Sequence, residues 1–223
     1  MSSVAPLTDR QELTLAFAAA LGYPHEPPAP AARACAEVSR ARSAEAAALL
    51  EAFAALAEAE SLGTLQEEYT RAFDLDTMSR SEPTCYPYVG HYLFEESHKR
   101  GAFILGLLQR YRAAGFEDDS DLPDHLLVLL RFLSVCSDDE LSDELVDDAI
   151  LPALARMTLL GAEGQERAST GRNAWLGVLR ALELSLAADR PPRSELDQQE
   201  VEAEREWARA QDSLGIERIR CGH

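Results

Sequence analysis

Asp121-Leu122-Pro123-Asp124-His125-Leu126-Leu127-Val128-Leu129-Leu130-Arg131-Phe132-Leu133 is the stretch on which the fold turns. From Leu126 to Leu133 it is almost continuously apolar, which predicts a central helix buried on most sides. Pro123 suits the first turn of that helix, where a missing N–H costs nothing. Asp124 and His125 then fall in the same turn. An aspartate there caps the backbone or favours the helix dipole, and a histidine hydrogen-bonds in the core. Ligand binding is the alternative for both.

Helical signals extend outward on each side. Thr8-Asp9-Arg10-Gln11 reads as a capping box ahead of Leu13, Phe17, Ala20 and Leu21, and Gly22 with Pro24 ends that helix. The three prolines of His25–Pro30 predict a loop. An alanine-rich helix runs from about Ala31 to Arg40, and Ser43 caps the next, which ends near Gly63. Thr64–Glu67 reads as a second capping box, opening a helix that puts Tyr69 and Phe73 on one face. From Asp74 to Gly90 the helical pattern fails, and a loop of that length carries function or moves. It holds Cys85, Tyr86 and Tyr88. Beyond it, Ala102, Phe103, Leu105, Leu107, Leu108 and Tyr111 predict the buried side of a long helix stopped by Gly115.

After Leu133, Ser137–Glu140 is a third capping box, and Pro152 predicts a kink or break between Ile150 and Leu154. A helix from about Asn173 to Ala188 turns Trp175, Leu179, Leu182 and Leu186 inward. Residues 1–190 thus form a single helical domain, and 191–223 a charged helix or flexible tail. With no alternating strand pattern and no repeat, the fold class is all-α.

Chemistry is excluded more readily than it is found. Cys35, Cys85, Cys136 and Cys221 form no short pair and no HExxH occurs, so no metal site is expected and the thiols are reduced and mostly buried. No phosphate-cradling loop and no Gly-x-Ser-x-Gly exist. The Asp124–His125 pair has no nucleophile at a recognisable motif, so the chain reads as a non-enzyme. A net charge of −18 repels nucleic acid and anionic lipid and favours cationic peptides, or serves solubility alone. No apolar stretch could span a membrane and no secretory signal opens the sequence, which places the protein in the cytoplasm. Tyr69, Phe73, Tyr86, Tyr88 and Tyr92 concentrate aromatics in a chain only 7% aromatic, either as a peptide-binding wall or as plain packing. Lys99 and Arg100 read as surface residues rather than contacts to a cofactor phosphate, and the acidic runs 117–121 and 138–144 as solvated helix ends rather than a specific arginine receptor.

Leu65–Leu75, then Tyr88-Val89-Gly90-His91-Tyr92-Leu93-Phe94 leading into Lys99-Arg100-Gly101, then Asp121-Leu122-Pro123-Asp124-His125-Leu126 occur in this order. Together they resemble the NarJ/TorD/DmsD family of molybdoenzyme assembly chaperones, nearest the branch serving nitrate reductase and type II dimethyl sulfoxide reductase family enzymes. The family often has Glu where Asp121 stands. Strong similarity covers the central third, and a weaker likeness continues through Asp147–Leu154. The resemblance implies a TorD-like helical bundle with no stably bound cofactor. It implies a partner, the N-terminal peptide of an apo catalytic subunit, held until bis-molybdopterin guanine dinucleotide is inserted. Cofactor-biosynthesis proteins are further partners, and a permanent accessory subunit is the alternative role. On this reading Tyr69, Phe73, Tyr86, Tyr88, Tyr92, Asp121, Pro123, Asp124 and His125 are the peptide-binding candidates.

Overall fold

Helix-favouring sequence becomes helix almost throughout the computed structural model, which describes residues 7–73, 85–94, 97–167, 174–188 and 190, with backbone alone over 160–167. The elements are α1 (Asp9–Ala20), α2 (Ala29–Arg40), α3 (Ala44–Ala59), α4 (Leu62–Phe73), α5 (Val89–Leu93), α6 (Ser97–Ala113) and α7 (Leu126–Val135). They continue with α8 (Asp139–Leu145), a π-helical turn (Val146–Ile150), α9 (Leu151–Arg167) and α10 (Ala174–Ala187). Among the described residues there is no strand, only an isolated antiparallel bridge between Tyr88 and His125. The all-α expectation holds. The proposed tail, with Cys221, lies outside the described residues, as do 74–84 of the expected loop.

Packing follows the apolar faces. α2 and α3 form a helical pair, α3 also packs on α10, α1 lies against α7 and α2, and α10 rests on α9. Within α7, Leu129, Leu130, Phe132 and Leu133 are wholly buried, as the continuous apolar run requires. Trp175 is wholly buried on α10, with Leu179, Leu182 and Leu186 beside it in the core as expected. Cys35, Cys85 and Cys136 are buried and unbridged.

Helix ends show where local reading works. Thr8 and Gln11 cap α1 reciprocally at 3.3 and 2.9 Å, and Ser43 caps α3 through the Ala46 N–H at 3.1 Å. Gly115 ends α6 at φ +67°, in the left-handed region. There its own N–H donates to the Arg112 carbonyl and the Phe116 N–H to that of Tyr111, while the two rings pack at 5.2 Å.

Other boundaries shift. α2 begins at Ala29, inside the expected loop, because Pro30 fits a helix's first turn. Ser61, not Thr64, caps α4, its Oγ accepting from the Thr64 N–H at 3.2 Å, so Gly63 opens α4 instead of closing α3. Asp138, not Ser137, caps α8, and its carboxylate accepts from the Leu141 N–H at 3.0 Å. Pro152 causes no break. The turn ahead of it widens to π spacing, with the Leu151 N–H donating to the Val146 carbonyl, which makes room for a ring that cannot donate. α6 is more peripheral than its composition suggests. Only Leu107 and Tyr111 are buried on it, while Ala102 is exposed and Leu105 is 55% exposed.

Candidate functional site

The run before α7 is a turn, not the helix's first turn. Pro123 and Asp124 precede the helix, and His125 is its N-cap, its Nδ1 accepting from the Leu127 N–H at 3.1 Å. The Asp124 carbonyl accepts from the Val89 N–H and the Pro87 carbonyl from the Leu126 N–H, both at 2.8 Å. These bonds stitch residues 87–89 to the entrance of α7. The Tyr111 hydroxyl donates to the Pro123 carbonyl at 2.8 Å and ties α6 to the same turn.

Asp124 does not cap. Its side chain is wholly buried, and Arg100 grips it through Nε to Oδ2 at 2.7 Å and a terminal nitrogen to Oδ1 at 3.2 Å. The same guanidinium lies 5.1 Å from the centre of the Tyr88 ring. Arg100 is therefore no surface residue. A Cβ at Gly90 would stand 2.7 Å from Asp124 Oδ2 and 3.0 Å from Arg100 Cγ, so the pair depends on a glycine at 90. Gly90→Ala should lower stability by about 1–3 kcal/mol through overpacking. Gly101→Ala, with nothing within 4 Å, should instead gain up to about 1 kcal/mol of helix propensity. Thermal melts of the two variants should move in opposite directions, and a parallel rise would remove the crowding argument.

The polar side of the site is a short network. The Tyr88 hydroxyl donates to Asp121 Oδ1 at 3.0 Å, and the Leu122 N–H donates to the same oxygen at 2.7 Å. Asp121 Oδ2 faces His125 Nε2 at 3.8 Å, and the Tyr88 and His125 rings meet edge-on at 5.3 Å. Arg131 holds Asp118 at 3.0 Å and also bonds Ser120, so that end of the acidic run is paired, as are Asp143 with Arg10 and Glu144 with Arg110. Burial, followed by bonding to Asp121, raises the Tyr88 hydroxyl to about 12. Tyr69 is likewise raised to about 12, mainly by burial.

Burial is also the main force holding the His125 pKa below its ordinary 6.5, against the pull of Asp121. The neutral ring is what the fold uses, because Nδ1 must accept. A lowered folded pKa means that stability is fully present above about pH 6.5 and drains away as pH falls through the folded value. His125→Asn can keep the cap through its amide oxygen. It should flatten the melting temperature between about pH 7 and pH 5, the range in which histidine titrates. An unchanged acid slope would assign that slope to other groups.

Beside this network lies a shallow apolar hollow, partly open to solvent and enclosing only ≈ 10 Å³, lined by Leu21, Tyr69, Phe73, Pro87, His125, Leu126, Leu127, Met157 and Leu179. Of the sequence candidates, Tyr69, Phe73 and His125 line it directly. Tyr88 and Asp121 border His125, and Asp124 lies buried within the turn. The single aromatic wall does not form. Tyr92 is core, its hydroxyl accepting from the Tyr86 N–H at 2.9 Å, and Tyr86 packs on His91 at 4.4 Å. Tyr69 and Phe73 instead lean on Trp175, with ring centres 5.1 and 6.5 Å away. Gly90, Pro87 and Met157 belong to this region without a functional mark in the sequence, and Arg100, expected at the surface, joins them. Lys99-Arg100-Gly101 belongs to the family-like run that follows Phe94, which was a usable signal for Arg100. Among the described residues, no group of three or more His, Cys, Asp or Glu could hold a metal ion.

Residues 38–159, which contain α4 to α7 and the whole polar network, match the family described as nitrate reductase delta subunit. The chain belongs to that family. The match agrees with the resemblance drawn from the sequence and starts earlier, near the end of α2. No curated protein matches the chain. A solved structure of a proposed redox enzyme maturation protein from Archaeoglobus fulgidus is similar in fold. It has a TM-score of 0.51 and 22% identity, over 82% of this chain and 96% of that one. In this delta subunit family member no described helix is long and apolar enough to cross a membrane.

Proposed function

We propose that this family member is a cytoplasmic maturation chaperone that binds the N-terminal segment of an apo-molybdoenzyme catalytic subunit. It would hold that segment while the client receives bis-molybdopterin guanine dinucleotide, and would perform no covalent chemistry itself. The observation that carries the reading is the apolar hollow beside Asp121, His125 and Tyr88, lined mostly from the matched segment and completed by Leu21 and Leu179. A concave apolar site with a few convergent polar groups suits an amphipathic segment better than a hydrophilic one. The surface is acidic overall, with a net charge of −18, which suits a basic leader. The redox-maturation description of the Archaeoglobus protein is in keeping with it. The test is co-purification of the tagged chain with the cofactor-free catalytic subunit. Retention of the client should be lost when its N-terminal segment is removed, and retention without that segment would sink the proposal.

A permanent accessory subunit is the second reading, and the family's description as a subunit favours it. The two separate on the purified active oxidoreductase. A chaperone is absent from it, whereas a subunit is stoichiometric.

A further inference from the structure

We draw no further inference here: the strongest candidate, the outward face of α6 on which Gly101 and Ala102 are exposed and Leu105 is 55% exposed, is an unpartnered apolar helix face, and nothing in the structure shows what covers it.

Discussion

Arg100→Met should unfold at a markedly lower denaturant concentration than the parent, with a loss of about 3 kcal/mol, toward the low end of the range for breaking a buried ion pair. The low end applies because Arg100 retains 27% exposure, so water can partly replace it, whereas Asp124 has none. The penalty comes from Asp124. Once its partner goes, a carboxylate with no solvent contact is left among Gly90, Phe103 and Tyr88. Adding Asp124→Asn in the same chain should therefore recover most of the loss, since an amide is far cheaper to bury than a lone charge. Arg100→Lys should fall between. It keeps the charge but forfeits the bidentate grip and the stacking on Tyr88. Urea unfolding of the single and double variants measures this directly. If the double variant is as unstable as Arg100→Met, the loss arises from packing of the arginine stem and the ion pair contributes little.

The pair also explains how far the site could be read in sequence. α7 was legible because an apolar run is a property of consecutive residues, and so was the reciprocal Thr8–Gln11 cap. Asp124 misled for the opposite reason. Its position just before an apolar helix is where an aspartate caps, yet its partner is Arg100, which lies 24 residues earlier and on another helix. With Asp124 occupied, capping passes to His125, and Pro123 sits in the turn rather than in the helix. Pro123 fits either place, because proline's fixed φ suits a turn as well as a first helical turn. Ser61 and Asp138 show the same limit at shorter range. Each was a valid cap within a few residues of another, and local sequence did not separate them.

The aromatic candidates divided along burial. Proximity in sequence suggested one surface, but Tyr92 turns its hydroxyl back onto the Tyr86 N–H and faces inward, while Tyr88 is held outward between Arg100 and Asp121. Tyr92 lies on α5 and faces the core, whereas Tyr88 precedes that helix in the segment bridged to His125, a division that adjacency in sequence does not show. Thus the hollow draws on Leu21, Met157 and Leu179, from the end of α1 and from α9 and α10, residues with no sequence mark beyond being apolar.

Trp175→Ala should combine the greatest loss of packing with an effect on that hollow. The indole is wholly buried on α10, 4.7 Å from Phe53, and it backs both Tyr69 and Phe73. Removing it should cost about 3–5 kcal/mol, as expected for deleting a large aromatic from a packed core. Trp175→Phe should cost less, since a ring still fills much of the space. The site should respond as well. Tyr69 and Phe73 would lose their support and relax into the vacated volume, so the lining of the hollow would change without any lining residue being mutated. Near-ultraviolet circular dichroism of Trp175→Phe, which should stay folded, reports the aromatic environment, and peptide affinity reports the site. Weakened affinity in a variant with most of its stability intact would show that the core wall shapes the hollow. Unchanged affinity would show that Tyr69 and Phe73 are held by their own helix and that Trp175 serves stability alone.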